Sequence, residues 1–154
     1  EITALLQETI FLFKNSPEVR DGHNIEYIGC PSGLDFHGDP DQIKQVFWNL
    51  CTNAIKAMPA GGTLRIDCRP QEGGLIIEFR DTGHGMGPAE LQQLFEPFQS
   101  RFPSGMGLGM AIVYRIVSDH RGRIEVESAP GQGTSVRIMF KTETINLRRE
   151  AVPE

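Results

Sequence analysis

Between Asp39 and Gly62 the sequence commits to one long amphipathic helix, and the rest of the chain has to accommodate it. Asp39-Pro40 reads as the start, with the aspartate as N-cap and the proline in the first turn, where its missing N–H removes no helical bond. Pro59-Ala60-Gly61-Gly62 stops the pattern near Met58. Ile43, Val46, Phe47, Leu50 and Ala54 fall within one arc, which is the face that a sheet must cover. Asn49, Asn53 and Lys56 recur at i, i+4 and i+7, so at about 100° per residue they form a polar stripe bordering that arc rather than opposing it. Asparagine is a poor helix former, and two of them aligned at the rim of a groove could supply neutral oxygens to Mg²⁺ beside an ammonium for phosphate. A solvated polar face accounts for the same three residues.

The remaining patterns supply the sheet. Asn24 to Ile28, Gly33 to His37, Thr63 to Cys68 and Leu75 to Arg80 read as strands, the last two as an antiparallel hairpin around the turn at Pro70 to Gly74. Arg123 to Ser128 and Thr134 to Phe140 form a second hairpin across Pro130-Gly131-Gln132-Gly133. Helices are expected over 88–95 and 108–120, a loop over 96–107, and a helix at the amino end from Ile2, Leu5, Leu6, Ile10 and Phe13, which closes at Asn15-Ser16-Pro17. The fold class is therefore α/β, a two-layer sandwich whose mixed, mostly antiparallel sheet is covered on one face by helices.

Two glycine clusters mark where chemistry could sit. Asp81-Thr82-Gly83-His84-Gly85-Met86-Gly87 follows a strand directly, placing a carboxylate at the strand end and closely approachable backbone beyond it. A carboxylate accepts hydrogen bonds from an amino group such as the exocyclic amine of adenine; a capped surface turn reads equally well from this string alone. Gly105-Met106-Gly107-Leu108-Gly109 opens an apolar helix, and amides at a helix amino terminus attract anions. Neither cluster is a P-loop or a dinucleotide-binding GxGxxG. A net charge of −5 disfavours a general nucleic-acid surface, and no apolar run is long enough to span a bilayer. Cys30, Cys51 and Cys68 lie in no CxxC pair and have no histidine at metal-ligand spacing, which reads as reduced thiols in a cytoplasmic setting with no zinc site and no membrane contact.

The strings NLCTNAIKAM, DTGHGM, LFEPF and GMGLGMAIV, in this order, closely resemble the asparagine box, first glycine box, phenylalanine box and second glycine box of bacterial sensor histidine kinases. The likeness runs from about Asp39 to Phe140. It implies the Bergerat-type ATP-binding fold of the gyrase, Hsp90, histidine kinase and MutL superfamily, with ATP and Mg²⁺ between the asparagine helix and a lid. By motif position, Asn53 would be the Mg²⁺ ligand, Asn49 a metal or phosphate contact, and Lys56 would face the phosphates. Asp81 resembles the adenine-reading aspartate, Gly83 and Gly85 the glycines under the base, and Thr134 a water-mediated adenine partner. Gly105, Gly107, Leu108 and Gly109 would bring backbone to the phosphates, and Phe95 and Phe98 resemble the aromatic pair that anchors the lid, a role that plain packing also fits. The lid departs from the family pattern: Ser100-Arg101 stands where a Thr-Lys pair is frequent, so Arg101 would replace the lysine, and Met106 stands where a hydroxyl is frequent.

On this resemblance residues 17–141 are the catalytic ATP-binding domain, residues 1–16 the end of an upstream linker or the first helix of the domain, and 142–154 a polar tail. Hydrolytic members of the superfamily place a glutamate at the position of Asn49 to activate water, and an amide cannot act as a base at neutral pH. Phosphoryl transfer is thereby favoured over hydrolysis. His23, His37, His84 and His120 are not followed by the acidic residue of the family's acceptor helix, so the nucleophile would lie on a dimerisation domain outside this chain. The resemblance implies relay to a response regulator, and the short lid is similar to that of kinases serving nitrogen-regulation or pilus-type transcriptional activators. A nucleotide-sensing pseudokinase and a serine-kinase anti-sigma factor are the alternatives on the same fold.

Overall fold

A computed structural model describes residues 2–29, 34–94 and 109–144. Along the chain lie α1 (Ile2–Lys14), β1 (His23–Ile28), β2 (Leu34–Asp35), α2 (Pro40–Lys56), β3 (Gly62–Gln71), β4 (Gly74–Asp81), α3 (Pro88–Gln93), α4 (Gly109–Asp119), β5 (Arg123–Ser128), β6 (Thr134–Lys141) and β7 (Glu143–Thr144). Five strands make one sheet in the order β1-β3-β4-β6-β5. β1 runs parallel to β3 and the other neighbours are antiparallel, so the sheet is mixed and mostly antiparallel.

Alternation decides which side of the sheet the helices cover. Leu64, Ile66 and Cys68 of β3, Leu75, Ile77 and Phe79 of β4, and Val136, Ile138 and Phe140 of β6 are buried in one cluster with Val46, Phe47 and Leu50 of α2 and Val113 and Val117 of α4. α1 joins the same core through Leu6, Ile10 and Phe13, and the Phe13 ring meets Trp48 edge-on with centroids 5.0 Å apart. Cys51 lies in that core, where burial pushes its thiol up to about 12, which marks it as packing and not as a nucleophile. The opposite face carries charge. Glu78 accepts from Ser135 Oγ at 3.0 Å and lies 3.7 Å from Arg137 and 3.6 Å from Arg80, so a carboxylate only 7% exposed is balanced by guanidinium groups on its own and the next strand.

α2 begins as its sequence dictates: the side chain of Asp39 accepts from the N–H groups of Asp41 at 2.9 Å and Gln42 at 3.3 Å, with Pro40 in the first turn. α4 ends on a less favourable choice. Arg121 N–H bonds the Ser118 carbonyl and Gly122 N–H bonds that of Val117, a closing turn that holds the exposed Arg121 at φ 57°. A side chain in that left-handed region costs roughly 1 kcal/mol. Arg121→Gly therefore raises the unfolding free energy by only about 0.5 kcal/mol after the added freedom of the unfolded glycine is counted, read from urea midpoints at an unchanged slope.

Several bounds differ from the sequence reading: β2 is Leu34–Asp35 where a strand from Gly33 to His37 is expected, and β3 runs to Gln71, into the expected turn. Residues 143–144, assigned to a polar tail, form β7, which pairs antiparallel with β2 through Leu34↔Thr144 and Asp35↔Glu143. Two residues carry too little alternation to register as a strand, and their pairing depends on a partner about a hundred positions earlier. α3 ends at Gln93, and the expected 96–107 loop with Phe95 and Phe98 lies outside the described residues.

Candidate functional site

The helix-facing side of the sheet turns polar at one end. The interior row that is Ile66, Phe79, Val136 and Val126 in mid-sheet becomes Leu64, Asp81, Thr134 and Ser128 at the end where β4 finishes. Asp81 is 8% exposed, and its Oδ1 accepts two backbone donors, Gly83 N–H at 2.9 Å and Thr134 N–H at 3.2 Å. Oδ2 makes no hydrogen bond among the described residues. Burial pushes the Asp81 carboxyl above its ordinary range, opposed by the two backbone N–H groups and by the nearby His84. Among the described residues, then, one oxygen of this carboxylate is satisfied by the fold and the other keeps its accepting capacity.

The loop after Asp81 is clamped between two parts of the chain. His84 N–H bonds the Ala57 carbonyl at 3.1 Å, tying the loop to the C-cap of α2, and Gly131 N–H bonds the His84 carbonyl at 2.8 Å, tying it to the β5–β6 turn. A methyl group at Gly83 would overlap the Ala57 carbonyl, and one at Gly85, whose φ is +71°, would overlap the Ala129 carbonyl. The sequence reading gave these glycines to a base lying over them. In the structure both have a demand of their own, since protein backbone approaches on those sides.

α2 presents Asn49, Asn53 and Lys56, each half-buried, along its exposed border. Neither asparagine side chain hydrogen-bonds within the described residues. The first residue of α4, Gly109, stands beside them: a Cβ built there lies 3.9 Å from Asn53 Oδ1. The clamp at Ala57 and this contact together gather the end of β4, the last two turns of α2 and the first turn of α4 around one place.

The family of histidine kinase-, DNA gyrase B- and HSP90-like ATPases matches residues 38–144. The chain belongs to this family. Among its members, sporulation kinase C of Bacillus subtilis is 37% identical over 108 residues, which cover 70% of this chain and 25% of that protein. The sensory histidine kinase/phosphatase NtrB of Rhodobacter capsulatus is 44% identical over 109 residues, covering 62% of this chain and 30% of that protein. The chain thus spans well under half the length of these relatives. The catalytic domain of histidine kinase ThkA superposes with a TM-score of 0.75 at 26% identity over 90% of each chain. Full-length ShkA, solved in complex with AMPPNP, superposes with a TM-score of 0.79 at 26% identity over 94% of this chain and 30% of that one. The α/β fold is that of histidine kinase catalytic domains, and the family is one of ATPases.

Within this histidine kinase-like ATPase, the structure draws together Asn49, Asn53, Lys56, Asp81, Gly83, Gly85, Gly109 and Thr134. Arg101, Gly105, Gly107 and Leu108 lie outside the described residues. Ser128 was missed by sequence reasoning and contacts both Thr134 and the backbone of Met86. The signal was present: Ile124, Val126 and Ser128 share one face of β5, so a hydroxyl continues the apolar row toward the site. No helix among the described residues is long and apolar enough to cross a membrane.

Proposed function

We propose that this chain is the ATP-binding catalytic domain of a sensor histidine kinase, and that the groups around Asp81 and Asn53 hold Mg·ATP. The observation that carries the reading is the Asp81 carboxylate, buried, with one oxygen accepting two backbone N–H groups and the other without a hydrogen bond among the described residues. Its Oδ2 suits the exocyclic amine of adenine, and Thr134 beside it suits a bridging water. Asn53 supplies an amide oxygen to Mg²⁺. Mg²⁺ in such a site is carried mainly by phosphates and water, with one or two protein oxygens. Asn49 and Lys56 orient the phosphates with the amide of Gly109 at the start of α4, and by motif position Gly105, Gly107, Leu108 and Arg101, which lie outside the described residues, would contribute to the same task.

Positioning and charge neutralisation account for what these residues contribute to phosphoryl transfer. The acceptor is a histidine on a dimerisation domain of the same protein, and the phosphoryl group passes from it to an aspartate on a response regulator, of the nitrogen-regulation type by the likeness to NtrB. The site works at the cytoplasmic side. Asn49 at the position where hydrolytic members carry a base makes the chain a poor ATPase by itself.

Titration with ATP in the presence of Mg²⁺ is expected to show one site per chain, with no phosphohistidine formed on this chain alone. Labelled phosphate is expected to appear on a segment bearing the gene's dimerisation helices when the two are mixed. Absence of ATP binding would sink the reading of the site, and rapid phosphate release without an acceptor would sink the kinase assignment.

A further inference from the structure

Ser128 ends β5, half-buried and directly paired with Thr134. Its Oγ lies 2.8 Å from Met86 N, 3.0 Å from the Gly133 carbonyl oxygen and 2.8 Å from Thr134 Oγ1. A serine hydroxyl has one hydrogen and two lone pairs, so three neighbours use it completely. Met86 N–H can only donate and takes one lone pair. The Gly133 carbonyl can only accept and takes the hydrogen. The contact to Thr134 is then decided: Thr134 donates to Ser128. In the reverse assignment Gly133 loses its donor from Ser128, and the Thr134 hydrogen has no acceptor among the described residues.

We infer that Ser128 is a positioning residue that sets the direction of the Thr134 hydroxyl, holding it as a hydrogen-bond acceptor toward the base pocket and so contributing to the choice of purine. The inference rests on the reading of Asp81 and Thr134 as the base-recognising pair. Thr134 is gripped twice, by Ser128 on its side chain and by Asp81 Oδ1 on its N–H at 3.2 Å, so it cannot turn to expose its hydrogen without breaking a bond. Asp81 and Thr134 are paired positions on adjacent strands, and both then present lone pairs. Such a pair accepts from a 6-amino purine and from a water that donates to it. It repels the oxygen of a 6-oxo purine, which needs a donor. The same hydroxyl anchors Met86 N, so the direction of Thr134 is coupled to the loop that follows Asp81.

The test is the ratio of ATP to inosine triphosphate affinity with Mg²⁺ present, measured in a double-mutant cycle. Ser128→Ala frees the Thr134 hydrogen to face the pocket and is expected to lower the ATP preference about tenfold, the worth of one hydrogen bond made or lost. Ser128→Thr retains the hydroxyl and restores the preference. In a Thr134→Val background Ser128→Ala is expected to leave the ratio unchanged, because the group it acts through is gone. Should Ser128→Ala unfold, Ser128→Cys, with its weak donor and acceptor, shifts the ratio in the same direction by less. If Ser128→Ala weakens both nucleotides equally, or lowers the ratio as much with Val at 134 as with Thr, Ser128 is structural and the inference falls while the ATP site stands. If the wild type binds neither nucleotide, the reading of the site falls and takes the inference with it.

Discussion

Replacing Asn53 with alanine is expected to weaken Mg·ATP binding at least about 100-fold while metal-free ATP loses less than about threefold, because the lost oxygen is proposed to serve the metal and not the base. The free protein is expected to be no less stable, and by helix propensity slightly more so, by about 0.5 kcal/mol. The Asn53 side chain is half-buried in the last turn of α2 and makes no hydrogen bond among the described residues, and its Oδ1 lies near the first residue of α4. On the proposed reading, an amide left without a hydrogen bond among the described residues, on a helix it disfavours, is kept for a ligand. Calorimetric titration with and without Mg²⁺, alongside a thermal melt, separates the two effects. A folded Asn53→Ala protein that keeps its Mg²⁺-dependent affinity would remove Asn53 from the site.

What the sequence made legible follows from the range over which each signal acts. α2 was readable almost to the residue because its start and arc are local: Asp39 caps it, Pro40 opens it and Ile43, Val46, Phe47 and Leu50 are buried on one side. The two hairpins were readable from alternation around turn residues, and β3–β4 and β5–β6 pair antiparallel. The parallel pairing of β1 with β3 was not, since nothing in six residues names a partner beyond an intervening helix. The same limit applies to β7. In the site, Asp81 was visible as a carboxylate at a strand end, but not the division of labour between its oxygens, which needs Thr134 from another strand. Gly83 and Gly85 were visible as a cluster, yet the carbonyls of Ala57 and Ala129 that help require them come from distant turns. Sequence shows which groups are available; contacts between segments decide which are already spent.

That distinction governs Asp81→Asn, for which opposite effects on ligand and fold are expected. An asparagine here keeps an Oδ1 to accept from Gly83 N–H and Thr134 N–H, so the loop after β4 retains both bonds. Its NH₂ then stands where the free Oδ2 stood and meets the adenine amine donor to donor. ATP affinity is expected to fall on the order of 100-fold, the scale of a lost hydrogen bond to a charged group, with the preference for ATP over GTP eroded alongside. Stability moves the other way. Burial is the largest influence on the Asp81 carboxyl and raises it, so the folded state holds that proton more tightly than the unfolded chain does. A group raised on folding contributes stability that is fully present below its unfolded pKa and lost as pH rises through its folded value. At neutral pH the charged Asp81 is therefore a cost, and Asp81→Asn is expected to melt at or above the wild-type temperature there. The advantage shrinks as acidification protonates the wild-type carboxyl. Thermal melts from pH 7 downward and ATP titrations at pH 7 check both halves. A variant that melts well below wild type at neutral pH would show that the charge on Asp81 serves the fold, and the second oxygen would lose its assignment to a ligand.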